Sequence, residues 1–207
     1  MVSEEDSTRK RDYIAGHIAH LLRIIEGLTP DEPLRQGLED TPKRVAKAYD
    51  EWFSGYGVDG KELLVRQFED DVIEQYRGMV IVKGVQFQSQ CEHHMAPFYG
   101  VAHVGYIPER INGDKTTVVG ISKFARLVEV YSRRLQVQER MTEQITNDID
   151  EVLKPKGVMV VVSATHTCMT SRGVRAHNTS TITSAVRGVF LANEAARLEF
   201  LELIKHG

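Results

Sequence analysis

Apolar residues recur at three- and four-residue steps from Asp12 onward. Ile14, Ile18, Leu21, Leu22, Ile25 and Leu28 form one stripe, which predicts an amphipathic helix. The ten residues before it are polar and charged and read as a tail. A second helix is predicted over DTPKRVAKAYDEWF, with Asp40 or Thr41 as cap, Pro42 in the first turn, and Val45, Ala46, Tyr49 and Phe53 continuing the stripe. From Met79 the period shortens. MVIVKGVQFQS and YGVAHVGYIP are rich in β-branched and aromatic residues and predict two strands joined by CEHHMAP. SKFARLVEVYSRRL and VQERMTEQITNDIDEVL predict successive helices, the first capped by Ser122, and KPKG stops the second before the strand GVMVVVSATHTC. NTSTITSAVRGVF predicts a further strand and NEAARLEFLELIK a closing helix.

Helices, paired strands, two helices, paired strands and a last helix imply an α+β fold with an antiparallel sheet. The chain of 207 residues is long enough to bury a core, and its 42% apolar and 27% charged residues are those of a globular protein rather than a disordered one. A net charge of −3 excludes a general nucleic-acid binder, although a local cluster of Arg and Lys still suits a small anion. No apolar run reaches the roughly 18 to 20 residues that span a bilayer, and MVSEEDSTRKRD lacks the apolar stretch of a signal peptide, so a cytoplasmic protein is expected.

In that setting the two cysteines point to a metal site or free thiols rather than a disulfide. Zinc prefers thiolate sulfur and imidazole nitrogen, and Cys91 with His94 has the spacing that lets one turn present both to one ion. Cys168 follows His166 by two residues, so in an extended segment their side chains share a face. Three ligands, Cys91, His94 and Cys168, leave a fourth position for water, as in catalytic zinc. A closed structural site with His93 or His166 as fourth ligand satisfies the same spacing. With three ligands, His93 and His166 are candidates for proton transfer. Read alone, Arg44, Arg126, Glu139 and Arg140 are solvated charges on helices.

SQCEHHMAPFYGVAHVGYIP, GISKFARLVEVYSRRLQVQERMT and HTCMTSRGV, in this order and spacing, closely resemble GTP cyclohydrolase I of the zinc-dependent type, over roughly positions 10 to 205. DTPKRVAKAY is similar to the helical arm of that family. The resemblance implies the tunnelling fold, an antiparallel four-stranded sheet with helices on one side. It divides the chain into a flexible tail 1–10, a helical arm 11–70 and a catalytic domain 71–207. It implies a Zn²⁺ cofactor held by Cys91, His94 and Cys168 with water in the fourth position, and the conversion of GTP and water to 7,8-dihydroneopterin triphosphate and formate. His93 and His166 match proton-transfer residues, and Ser122 matches a residue at the ribose that assists proton movement. Glu139 matches the acid that holds the guanine edge, with Gln138 beside it. Lys123, Arg126, Arg172 and Arg44 match contacts to the ribose and triphosphate. A homodecamer with active sites between subunits is implied as well. Two alternatives stand beside it: a nitrile reductase of the same fold, and a zinc-stabilised binding module without catalysis.

Overall fold

A computed structural model describes residues 4–69, 76, 78–111 and 115–205. The described helices are α1 (Glu4–Glu26), α2 (Thr41–Trp52), α3 (Gly60–Leu64), α4 (Ser122–Ser132), α5 (Gln138–Leu153), α6 (Thr167–Thr170), α7 (Val189–Ala192) and α8 (Glu194–Lys205). The described strands are β1 (Gln67–Glu69), β2 (Val80–Cys91), β3 (Pro97–Ile107), β4 (Arg110–Ile111), β5 (Lys115–Val119), β6 (Leu135–Gln136), β7 (Gly157–His166) and β8 (Thr181–Gly188). The chain divides into two compact units, Met1–Ser54 and Gly55–Gly207. That division falls before position 70; the boundary expected between 70 and 71 lies outside the described residues, as do residues 1–3 and His206.

The first unit is a pair of helices. Helix α1 begins at Glu4, so residues 4–10 are its first turns rather than a tail; Glu4, Glu5 and Asp6 place negative charge at the positive end of the helix dipole. Arg11 and Lys10 of α1 both pair with Asp50 of α2, and Arg35 pairs with Glu26 at 3.0 Å. In α2, Asp40 stands at the cap position but makes no side-chain cap; its carboxylate accepts from Arg44 at 3.1 Å instead.

The second unit is built on a sheet of order β6-β2-β3-β7-β8, whose four long strands are all antiparallel to their neighbours; only the two-residue β6 pairs in parallel, with Gln90 and Cys91. Strand alternation sends Phe98, Ala102, Val104 and Tyr106 of β3 and Val158, Val160, Val162 and Ala164 of β7 to one face, where they pack with Phe124 and Leu127 of α4 and Met141, Ile145 and Ile149 of α5. Each such fully buried apolar side chain contributes about 1.5–3 kcal/mol. The expected helices on one side of the sheet are α4 and α5. The terminal helix α8 adds a smaller cluster on the opposite face, where Phe200 meets Met159, Val161 and Phe190. A separate three-stranded sheet, β1-β5-β4, carries no alternation that announced it.

Helix α4 is not capped by Ser122. Ile121 holds that position in helical geometry without a side-chain cap, and a tight turn starts the helix as Lys123 N donates to Gly120 O at 2.8 Å. Near α5, the Tyr131 hydroxyl donates to Asp148 at 2.5 Å, with both side chains buried. Burial raises the Asp148 carboxyl above the ordinary range, against the pull of Tyr131 and Lys61. Burial and the neighbouring Asp148 push the Tyr131 hydroxyl up as well.

The raised Asp148 favours its protonated form in the folded state. Its contribution is fully present below the unfolded carboxylate value of about 3.9 and is lost as pH rises through the higher folded value. Urea unfolding of wild type and Asp148→Asn across that range is expected to show the wild-type advantage shrinking as pH rises; an advantage that grows with pH would contradict the burial argument. Gly100 offers a second test. A Cβ there would lie 1.9 Å from the carbonyl oxygen of Ser163 in the facing strand. Gly100→Ala should therefore destabilise by about 3 kcal/mol, the upper end for overpacking, and a loss below about 1 kcal/mol in urea titration would refute the close approach.

Candidate active site

Strand β3 is the bridge on which the site is assembled. Gln90 of β2 pairs with Pro97 and His166 of β7 pairs with Phe98, so the C-terminal ends of β2 and β7 both arrive at the N-terminal end of β3. Beyond each end the backbone turns. After Cys91 a tight turn is closed by Met95 N to Cys91 O at 2.8 Å and Cys91 N to Ala96 O at 2.9 Å, with Met95 in the left-handed region at φ 52°. After His166 the chain enters the helical turn α6, fixed by the Thr167 hydroxyl donating to Pro97 O at 2.6 Å.

These two turns bring Cys91, His94 and Cys168 together, with their ligand atoms all within 4.8 Å of one another. Cys91 is buried, Cys168 half-buried and His94 exposed, so the group opens to solvent on one side. Nδ1 of His94 lies 3.8 Å from the Cys91 sulfur, while Arg172 donates to the other ring nitrogen; Nδ1 is therefore the atom aimed at the thiols. Burial and the adjacent Cys91 raise the Cys168 thiol. Two thiols and one imidazole converging this closely are soft donors that suit zinc.

The extended arrangement expected for HTC does not occur. Cys168 lies on α6, not on the strand, and His166 is the last strand residue. The reason is the Thr167–Pro97 bond, which takes Thr167 out of the ladder and starts a turn. His166 stays on the strand face that packs against α5. Its ring stacks on Phe98 with centroids 4.5 Å apart and planes 5° from parallel, and its Nε2 lies 2.7 Å from Oε1 of Gln138. Burial lowers the His166 ring below the ordinary imidazole value, and the Glu139 carboxylate opposes that shift.

Gln138, expected beside the guanine, is buried, and its amide donates to Val162 O, Thr181 O and the Thr183 hydroxyl at 3.1, 3.0 and 3.1 Å. The side chain is engaged on protein atoms. Its neighbour Glu139 is exposed at the start of α5. Glu92 forms a two-pronged ion pair with Arg140 at 2.5 and 2.9 Å; its carboxyl is lowered chiefly by that partner. The pair ties the Cys91–His94 turn to the first turn of α5. A Glu–Arg pairing between distant segments leaves no local trace in a sequence. His93 is exposed, with Nε2 3.9 Å from Glu92.

Ser122, Lys123 and Arg126 stand on the first turns of α4. Among the described residues no hydrogen bond or ion pair links them to the cluster. Arg126 lines an open groove of about 750 Å³ with Gln86, Gln88, Tyr99, Glu129 and Arg133. Arg44 belongs to the helical unit. Elsewhere, His103 accepts from the backbone of Gly84 at 3.2 Å, opposite the bulge in β2, and His177 is exposed.

The architecture is that of an α+β protein with two thiols and an imidazole placed where they could hold a metal ion. Residues 14–205 match the family model described as GTP cyclohydrolase I. The chain is 49% identical to GTP cyclohydrolase 1 of Wolinella succinogenes over 89% of this chain and 94% of that protein. It is 52% identical to GTP cyclohydrolase 1 of Bacillus mycoides over 91% and 95%. A solved archaeosine synthase QueF-Like, in the apo form, aligns over 55% of this chain and 97% of its own with 18% identity and a TM-score of 0.44. The chain belongs to the GTP cyclohydrolase I family and is an enzyme. The family match decides against the nitrile reductase and the non-catalytic module. No helix among the described residues is long and apolar enough to cross a membrane.

Cys168→Ser and Cys91→Ser should each reduce bound zinc in the purified protein from stoichiometric to a small fraction, measured by elemental analysis. Retention of a full equivalent in either variant would rule out the three-donor site.

Proposed function

We propose that this chain converts GTP and water to 7,8-dihydroneopterin triphosphate and formate, the entry step to folate or biopterin synthesis. The observation that carries the reading is the Cys91–His94–Cys168 cluster, within 4.8 Å, in a chain of this family. Zinc held by those three residues would supply Lewis acidity, making hydroxide available near neutral pH.

The remaining work belongs to side chains. Glu139 accepts two hydrogen bonds from the ring and exocyclic N–H groups of guanine and sets its register. Arg172, beside His94, together with Lys123, Arg126 and Arg44 offsets the charge of the triphosphate; a mildly acidic protein needs only a local cluster to do so. Water adds at C8 as His166 passes a proton to N7, and the imidazole ring opens. A second water releases C8 as formate. The ribose then rearranges to a ketose with help from Ser122, and the freed amine closes the new ring with loss of one water. His93, exposed beside the cluster, handles protons on the solvent side. The family resemblance supports a homodecamer with active sites between subunits.

Incubation of the zinc-loaded protein with GTP should yield formate and a pterin chromophore in equal amounts. Absence of formate would end the proposal. Glu139→Gln should lower kcat/KM for GTP by roughly 10- to 100-fold, the range for hydrogen bonds to a charged group; an unchanged value would remove Glu139 from the guanine site.

A further inference from the structure

The hydrogen-bond directions around Gln138 are fixed by chemistry. Val162 O and Thr181 O are backbone carbonyls and can only accept, so the Gln138 atom facing them is the NH₂ nitrogen, at 3.1 and 3.0 Å. The same nitrogen lies 3.1 Å from the Thr183 hydroxyl. The Thr142 hydroxyl donates to Gln138 O at 2.8 Å, so between Thr142 and Thr183, 2.7 Å apart, Thr183 is the donor. Thr183 has thereby spent its one hydrogen and can only accept, sharing the two amide hydrogens of Gln138 with the two carbonyls. The side-chain oxygen Oε1 of Gln138 is then left facing His166 Nε2 at 2.7 Å. A carbonyl oxygen accepts, so Nε2 carries the ring hydrogen.

The geometry points to Gln138 as a positioning residue that holds His166 in the Nε2–H tautomer and leaves Nδ1 as the nitrogen that exchanges a proton with substrate. This rests on the reading that His166 transfers a proton during turnover. In that step Nδ1–H of the charged ring gives its proton to N7 of the purine. The purine lone pair forms the new N–H bond, Nδ1 keeps the old bonding pair, and Nε2–H stays on Gln138 throughout. Phe98, stacked on the ring, keeps the imidazole plane in line with the amide. A Gln138 that merely held α5 against β7 and β8 would affect stability without selecting a tautomer.

Solid-state NMR of the zinc-loaded protein, labelled with ¹⁵N-histidine and with His166 assigned through His166→Asn, reads the tautomer directly. At mildly alkaline pH wild type should show His166 as Nε2–H. An Nδ1–H ring in wild type overturns the inference without recourse to any variant. Gln138→Met should lose the Nε2–H preference and lower kcat by about 10- to 100-fold with KM for GTP changed less than about threefold, a loss smaller than or equal to the roughly 100- to 10,000-fold of general acid–base catalysis as a whole. A raised KM with unchanged kcat and tautomer would return Gln138 to substrate binding and refute the assignment. Should Gln138→Met fail to fold, the wild-type tautomer still decides the inference, because the two backbone carbonyls alone orient the amide. Full turnover by His166→Asn would instead defeat the proton-transfer reading, and the wild-type tautomer would still stand or fall by itself.

Discussion

The antiparallel register of β3 with both β2 and β7 is the constraint on which the site depends. Gln90 opposite Pro97 and Phe98 opposite His166 bring two chain ends to one place, and each end then turns to present a thiol. Slipping either pairing by one residue would send every side chain of that strand to the other face. The core therefore enforces the site. Val158, Val160 and Val162 must face α5, and with them in place His166 has no alternative to facing Gln138.

Much of this was legible in the chain before any coordinates. The four long strands, the helices α2, α4, α5 and α8, and most of α1 follow from period and composition, because each buries a face wide enough to leave a repeat. Cys91, His94 and Cys168 were legible from donor chemistry. What remained hidden was set by partners rather than by local pattern. The two residues of β6 are a strand only because Gln90 and Cys91 lie beside them. Helix α3 is one short turn, held by Asp59 capping Lys61 N. Cys168 leaves the strand because Thr167 reaches Pro97, seventy residues away in sequence. The burial of Gln138 and its bonds to protein atoms left no trace in the chain, because the carbonyls and hydroxyl it meets belong to distant strands.

Two kinds of polar interaction support the site, and they differ in strength. The Glu92–Arg140 pair is partly exposed, so its worth lies in fixing the turn rather than in stability. The Gln138 group is buried. Breaking one of its bonds strands a polar atom at a cost of about 1–3 kcal/mol. Orientation at the site thus rests on the dry side of the sheet, while the exposed side remains free to accommodate a charged ligand.

The strand order also sets a timetable. Strands β2 and β3 are neighbours in sequence and pair locally, but β7 joins them only after two helices have intervened. During synthesis Cys91 emerges 77 residues (168 − 91) ahead of Cys168, an interval of about 4 to 15 s at typical elongation rates. Over that time the nascent hairpin offers a metal only one thiol and one imidazole. An ion held by all three donors would therefore be captured only once β7 has docked.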